Sequence, residues 1–346
     1  MTERGELPGI QYLVLDKNKI LFEYNSGWQD IKNRIPVTNA TTFMLNSSTK
    51  PVTSAAILQL VDKGKINLDS TLSSYYQNHP YGDQVTIRHL LTHTGGIADP
   101  VPINWFHLAE EHKKFDENGA LADVLRRSKL KSPPGEKYRY SNIGYWLLGN
   151  VIKTASGMSY PDYMKKHILQ PLLIPEKEMD FQIPNRDLQA KDYQKKFSLF
   201  NLITYIMGDN RIRGKSEGIW SRYKYIYHNG YSYGGLYANA LGISRFLQDM
   251  LKDKPVIFSP KSKLDFFSPH KTTKGELSGT TPGWSTGELS GVQYFGKPGG
   301  GRGSNSNIRI YPDKGLATVF LANKVEISES PINKFSDSLD QSFVIS

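Results

Sequence analysis

Three short stretches carry side chains that could do chemistry together: Ser47-Ser48-Thr49-Lys50, Tyr140-Ser141-Asn142 and Lys297-Pro298-Gly299. They supply a hydroxyl nucleophile, two amines and a phenol. That set can run acyl transfer through a covalent intermediate without histidine, metal or cofactor. Residues i and i+3 share a helix face, so Ser47 and Lys50 are expected to meet. The lysine can take the serine proton if burial or a neighbouring cation lowers its pKa. A serine at a helix start also lies in the positive end of the helix dipole, which favours a developing oxyanion. Pro51 has no N–H to offer the Ser47 carbonyl, so the chain can be irregular there.

Each motif is weak by itself. Ser-x-x-Lys occurs at Ser47, Ser128, Ser221 and Ser268. Ser268 precedes a proline, Ser128 lies near the end of its expected helix, and Ser221 falls in an aperiodic segment. Only Ser47 opens a long apolar helix (Val52, Ala55, Ala56, Ile57, Leu60, Val61). Alone it reads equally well as a helix cap. Tyr-x-Asn occurs at Tyr76, Tyr140 and Tyr237, and the copy at Tyr140 follows a Pro-Gly turn and directly precedes a helix. A phenol of pKa about 10 needs a shift of about 3 units, roughly 4 kcal/mol, to act as a base near neutrality. One cation at about 4 Å contributes about that much at an effective dielectric of about 20. Lys50 and Lys297 are candidates for that cation. Alone, Tyr140 reads as packing and Asn142 as a cap. Lys-x-Gly occurs once, in Gly296-Lys297-Pro298-Gly299-Gly300-Gly301. Glycines on a strand let a substrate approach the backbone; the alternative is a hairpin loop with a solvated lysine.

The elements that must position these motifs read as strands at both ends and helices between. Ile10, Tyr12 and Val14 alternate, Lys17-Asn18-Lys19 turns, and Ile20 to Tyr24 returns. A helix is expected from about Ser48 to Lys63, stopping at Gly64. Residues 69–170 read as mainly helical, punctuated at Gly95-Gly96 and Pro133-Pro134-Gly135. Within them a helix from Asn142 to Ala155 sets Tyr145, Leu148, Val151 and Ile152 on one face. Residues 178–233 have the weakest periodicity. Ten aromatics and seven Lys/Arg between Tyr193 and Tyr233 suggest a rim over a cleft, with local packing as the alternative. Gly242 to Leu251 reads as helix, Ser304–Ile310 and Leu316–Leu321 as strands around a Pro312-Asp313-Lys314-Gly315 turn, and a last helix starts at about Ile332. The expectation is a single α+β domain with an antiparallel sheet built from both termini. Its sheet lobe covers about 1–46 plus 236–346, and a mainly helical lobe, about 47–235, is inserted.

Composition narrows the function classes. The 346 residues contain no cysteine, which excludes disulfides, thiolate zinc sites and cysteine nucleophiles. The net charge of +10 reads as solubility, or as attraction to an anionic cell-wall polymer or membrane surface. No zinc-finger or RNP-type signature accompanies it, so no nucleic acid is expected. No run of 18 apolar residues occurs. The start, Met1 to Gly5, lacks a leader pattern. The expectation is a cytoplasmic chain, or a periplasmic or extracellular one whose leader was removed, the second favoured. Gly283-Trp284-Ser285-Thr286-Gly287 matches a nucleophile elbow, but the last histidine, His270, precedes Ser285. His89 and His93 have zinc-protease spacing without the glutamate. No P-loop or dinucleotide fingerprint occurs, so neither cofactor nor metal is expected.

The motif order resembles the serine β-lactamase and penicillin-binding protein superfamily. So do Val85 to Ile97, Pro134-Gly135 through Tyr145, Gly234-Gly235-Leu236, and Tyr311 to Leu316. The nearest branch is the class C β-lactamase-like group, with its D-alanyl-D-alanine carboxypeptidases, D-aminopeptidases and family VIII-type esterases. The resemblance spans about residues 8–325. It implies that Ser47 is the acylated nucleophile, Lys50 its partner and Tyr140 the general base. It implies that Asn142 orients the substrate amide and that Lys297, beside Gly299 and Gly300, supports Tyr140 and a substrate carboxylate. The N–H groups of Ser47 and Gly300 would form the oxyanion hole. Two departures stand out. Pro298 replaces the hydroxyl residue of true β-lactamases, and Lys297 stands where many relatives carry histidine. The Glu-x-x-x-Asn pattern of class A enzymes is absent, so deacylation would use the tyrosine. The implied activity is hydrolysis of D-amino-acid peptides, small esters or β-lactams, the first two ahead because of Pro298. The alternative is an idle member that binds peptidoglycan-like ligands or partners. The oligomeric state stays open.

Overall fold

The structure is a computed structural model that describes all residues except 1, 3–5, 101–104, 184, 199–200, 202–204, 207, 325–328 and 346, with only the backbone of 329–332. Its frame is one antiparallel eight-stranded sheet. The N-terminal segment gives β1 (Gly9–Asp16), β2 (Ile20–Asp30) and β3 (Ile35–Pro36). The C-terminal segment gives β4 (Thr280–Thr281), β5 (Trp284–Leu289), β6 (Val292–Gly300), β7 (Asn305–Tyr311) and β8 (Leu316–Ala322). The order is β4-β5-β6-β7-β8-β1-β2-β3. The two ends of the chain meet in the β1–β8 ladder, where Ile10 faces Ala322 and Asp16 faces Leu316.

Between these strands run α1 (Lys50–Asp62), α2 (Ile87–Leu91), α3 (Glu117–Arg126), α4 (Asn142–Ser156) and α5 (Tyr160–Met164). Then come α6 (Tyr231–Gly234), α7 (Ala240–Leu251) and α8 (Pro260–Phe267), and α9 (Glu329–Val344) follows β8. The strand period of two divides β1 between two layers. Leu13 and Leu15 enter the main core, on the side where α7 packs, while Ile10, Tyr12 and Val14 enter a second cluster with Phe320. Phe335, Leu339 and Phe343 of α9 close that second cluster. Helices on both faces explain why β7 and β8 are apolar or buried nearly throughout.

A buried ion network also docks α9. Arg309 donates to Asp337 at 2.7 Å and to Asp340 at 3.1 Å. The hydroxyls of Tyr12, Tyr311 and Thr318 donate to the same Asp340 carboxylate.

Three expectations need correction. The helix expected from Ser48 begins as α-helix only at Lys50; Asn46–Thr49 is a tighter 3-10 turn. Residues 69–170 are less helical than their composition suggests, because turns and a short strand pair (Ile97–Ala98 with Lys129–Leu130) separate brief helices. The aperiodic 178–233 segment contains its own small sheet, with Tyr193–Lys195, Arg213–Glu217 and Trp220–Tyr223 as strands. Those strands are too short and too polar to show alternation. Among the described residues no helix is long and apolar enough to cross a membrane.

The site rests on α1. It is buried all round from Lys50 to Leu60. Thr53, Ser54, Ala55 and Ala56 are small enough for α4 to pack closely against it. Two hydroxyls in that stretch are satisfied, Ser54 Oγ with the Tyr145 hydroxyl at 2.9 Å and Thr53 Oγ1 on the Ser232 carbonyl at 2.7 Å.

Candidate active site

The 3-10 turn Asn46–Thr49 carries Ser47. Asn46 enters it at φ 49°, a left-handed conformation that asparagine tolerates better than most residues. Its side chain is pinned: Nδ2 donates to the Ser304 carbonyl at 3.2 Å, and Oδ1 accepts from His228 Nε2 at 2.9 Å. In a 3-10 turn residues i and i+3 eclipse. Lys50 Nζ accordingly donates to Ser47 Oγ at 3.1 Å. Ser47 is half-exposed, whereas Asn46, Ser48, Thr49 and Lys50 are buried.

Strand β6 lies directly against this turn. Ser48 Oγ donates to the Lys297 carbonyl at 2.7 Å, and Ser306 Oγ on β7 donates to the Leu45 carbonyl at 2.6 Å. A Cβ on Gly299 would collide with that Leu45 carbonyl and stand 2.9 Å from Ser48 N. Only glycine lets strand and turn come this close. Gly300, next along, is exposed. The β5 ladder stops at Ser285 opposite Gly296, while β7 continues to pair Lys297 through Gly300. One edge of Lys297–Gly300 is therefore not covered by β5.

Tyr140 arrives from the other side. Its hydroxyl is 2.6 Å from Ser47 Oγ. It stands just before α4, where Ser141 is the N-cap and accepts from Gly144 N at 3.2 Å. Asn142 Oδ1 accepts from Lys50 Nζ at 2.8 Å, and the Tyr233 carbonyl of α6 accepts from the same nitrogen at 2.7 Å. With Ser47 Oγ, these give the buried Lys50 three acceptors, as many as an ammonium has N–H groups. The Lys50 and Lys297 nitrogens lie 5.0 Å and 4.8 Å from the centroid of the Tyr140 ring. Lys297 is only 2% exposed. Ser47, Lys50, Tyr140, Asn142 and Lys297, from three distant stretches, thus gather in one place, with Gly299 and Gly300 on the adjoining strand.

Two groups of this site have no motif. His93, at φ 56°, accepts the Ser141 N–H at Nδ1 (3.2 Å) and the Arg139 N–H at its carbonyl (2.7 Å). Its ring lies 4.5 Å from that of Tyr140. Burial, then Lys297 and Lys50, hold this imidazole neutral, well below its usual range. The Tyr233 carbonyl is the other. His93 was visible in the sequence within Val85 to Ile97; a carbonyl leaves no mark, since every residue has one. Burial, then Lys50, likewise hold His228 down to about 3.

The rival motifs do other work. Ser128 Oγ donates to the Ala98 carbonyl and accepts from the Tyr81 hydroxyl. Ser221 lies in a strand, and Ser268 caps the end of α8. Ser285 sits in β5, opposite Gly296. His89 closes a capping box with Thr86 at the start of α2. Among the described residues no three His, Asp or Glu side chains group to hold a metal ion.

Comparison with known proteins adds a family and a fold. The beta-lactamase family model matches residues 1–336. The chain is 28% identical over 328 residues to penicillin-binding protein 4* of Bacillus subtilis (strain 168), covering 92% of this chain and 68% of that protein. It is 30% identical over 178 residues to protein flp of Staphylococcus aureus (strain MW2), covering 49% of this chain but only 34% of flp. Among solved structures, D-amino acid amidase from Ochrobactrum anthropi SV3 superposes with a TM-score of 0.78 at 18% identity, covering 99% of this chain and 96% of that one. At that identity the likeness is one of fold.

Proposed function

We infer the function of this site from one premise: the chain belongs to the beta-lactamase family. The family and its neighbours support serine hydrolase chemistry in the broad sense. We propose a covalent acyl-enzyme mechanism with Ser47 as nucleophile and Tyr140 as general base. The carrying observation is the Tyr140 hydroxyl 2.6 Å from Ser47 Oγ, with the Lys50 and Lys297 nitrogens about 5 Å from the Tyr140 ring. Lys50, held by Ser47, Asn142 and the Tyr233 carbonyl, is placed to support that pair.

In this reading Ser47 Oγ attacks the substrate carbonyl carbon while its proton passes to Tyr140. Two ammonium groups about 5 Å from the ring favour negative charge on the Tyr140 oxygen beforehand. Tyr140 then returns the proton to the leaving amine or alcohol as the tetrahedral intermediate collapses to the Ser47 ester. Water attacks that ester, gives a proton to Tyr140, and the acid leaves as the proton returns to Ser47.

The oxyanion would sit between the N–H groups of Ser47 and Gly300. Pro298 supports the second donor. Proline has no N–H for the β7 ladder, so its nitrogen takes the open side of β6; two residues on, Gly300 presents its N–H on that same side.

The open edge of Lys297–Gly300 suits an extended peptide, which could add to it as a strand. Lys297 would take a substrate carboxylate. Beside the site lies a cavity of about 470 Å³ lined by Phe106, Phe115, Asn229, Glu111, Asp209 and Arg211, among others. One of its lining residues, Phe106, packs 4.4 Å from the ring of His228, whose Nε2 bonds Asn46 beside Ser47. Asp209 and Arg211 belong to the aromatic and basic segment, which we assign to substrate selection. We place D-amino-acid peptides, amides and small esters ahead of β-lactams, since Pro298 cannot give a hydroxyl hydrogen bond to a carboxylate. The name of the D-amino acid amidase points to amides of D-amino acids, whereas that of penicillin-binding protein 4* points to a β-lactam ligand.

A hydrolysis panel tests this reading: D-Ala-D-Ala peptides, D-amino-acid amides, short-chain p-nitrophenyl esters and nitrocefin, each with Ser47→Ala and Tyr140→Phe controls. Turnover of the first three classes above nitrocefin, lost in Ser47→Ala, is expected. Turnover that survives Ser47→Ala, or none on any substrate, would refute it; the latter would favour an idle binder.

A further inference from the structure

The stretch that carries Tyr140 and Asn142 is held from behind by a carboxylate outside every motif. Asp99 Oδ1 accepts from Ser141 Oγ at 2.7 Å and from Ile143 N at 3.2 Å. Its Oδ2 accepts from Asn142 N at 2.7 Å. Both oxygens are thus spent on three consecutive residues, and two of the donors are the first free N–H groups of α4. An anion there is stabilised by the helix dipole as well as by the hydrogen bonds. Burial, the largest effect, leaves the Asp99 carboxyl raised, and these bonds and the nearby Lys50 offset only part of it.

We propose that Asp99 is a positioning residue for catalysis: it locks the Ser141–Ile143 backbone so that Tyr140 and Asn142 reach Ser47 and Lys50 together. The logic is geometric. Asn142 Oδ1 meets Lys50 only if the Asn142 backbone is fixed, and Asp99 holds that N–H directly. Tyr140, whose hydroxyl lies 2.6 Å from Ser47 Oγ, directly precedes Ser141, where Asp99 makes a second contact. Ser141 is pinned on its other side by His93 Nδ1. Asp99 acts through these residues and has no direct part in bond making. A misplacement on the order of 1 Å at a reacting group costs about a hundredfold in rate. Asparagine is nearly the same size, but its amide nitrogen cannot accept, so Asp99→Asn releases one side of the clamp.

The proposal rests on the assignment of Tyr140 as base, so Tyr140→Phe is run beside it. Steady-state kinetics on a short-chain p-nitrophenyl ester and thermal unfolding are measured for the full chain and for Asp99→Asn, Asp99→Gly and Ser141→Ala. Expected is a kcat about tenfold to a hundredfold lower in Asp99→Asn, with KM within about twofold. A smaller fall is expected in Ser141→Ala, which removes one of the three contacts. Millimolar formate should restore part of the kcat of Asp99→Gly but none of that of Tyr140→Phe. If Tyr140→Phe keeps its activity, the catalytic assignment fails. If Tyr140→Phe loses activity while folded Asp99→Asn keeps kcat within twofold, or formate leaves Asp99→Gly unchanged, the role of Asp99 alone is overturned. Should both Asp99 variants fail to fold, Ser141→Ala decides, an unchanged kcat refuting the clamp.

Discussion

At the scale of the residue, the chemistry turns on which group receives the Ser47 proton. We assign that role to Tyr140, whose hydroxyl lies 2.6 Å from Ser47 Oγ. Tyr140→Phe removes the proton acceptor and leaves the ring between the two lysines. Its kcat should fall about 10²- to 10⁴-fold, the usual worth of a general base, with KM little changed. Steady-state kinetics on a p-nitrophenyl ester measure this, and a fall of less than about threefold would return the role to Lys50. The five motif side chains were legible in the sequence because each motif is local: a serine and lysine three apart, a tyrosine and asparagine two apart, a lysine before glycine. The groups that hold them in place were not. The Tyr233 carbonyl has no side-chain signature, and His93 acts through its own left-handed backbone as much as its ring.

At the scale of the element, strand β6 and the nucleophile turn form a unit that tolerates no Cβ between them. Gly299→Ala must push the Leu45 carbonyl and Ser48 N away from β6. The expected result is a folded but destabilised protein, or none, with any soluble fraction slow to acylate at Ser47. Normal acylation in a variant of normal stability would contradict the packing. The terminal helix offers a separate test. Asp340→Ala leaves Arg309 buried with one carboxylate fewer, a loss of about 3–5 kcal/mol by analogy with other buried pairs. The paired Arg309→Met, Asp340→Leu variant should recover only part of it, because the Tyr12, Tyr311 and Thr318 hydroxyls still lack their acceptor, as thermal unfolding would report. β1, α4 and α7 were legible because alternation or helical spacing runs through them, and β7 and β8 because short runs flank a Pro-Asp-Lys-Gly turn. The 3-10 turn was not, because its four residues are too few to show a period and their conformation is set by Asn46 contacts to Ser304 and His228. The small sheet around Tyr193, Arg213 and Trp220 escaped for the same reason.

At the scale of the whole molecule, a sheet closed by both chain ends brings three motifs from distant stretches into one place. The same burial sets how stability varies with pH. All eight histidines are held below the usual imidazole value, burial being the largest cause, with His107 at about 4 and His228 at about 3. The unfolded chain takes up those protons as pH falls through about 6.5, and the folded chain resists. Stability is therefore lost on the acid side. Glu117 and Asp192 behave oppositely, pushed up to about 7 and about 8 by burial. Their contribution is present at low pH and is lost as pH rises through 7 to 8. Between about 4.5 and 6.5 the two groups oppose; below that range the histidines and the lowered carboxylates of Asp16, Asp30, Asp69 and Asp209 act unopposed. Thermal unfolding should show a decline below about pH 4.5 and no rise from about pH 7 to 8. A midpoint that rises steadily from pH 7 to 9 would contradict this balance.

The most direct test of the central claim is intact-mass spectrometry of the protein after incubation with a fluorophosphonate or a fluorescent penicillin, followed by peptide mapping. One adduct is expected, on Ser47, formed rapidly in the unaltered protein, far more slowly in Tyr140→Phe and not at all in Ser47→Ala. No adduct with either probe, or one that persists in Ser47→Ala, would contradict the claim that Ser47, Lys50, Tyr140 and Lys297 converge to make an acylated serine.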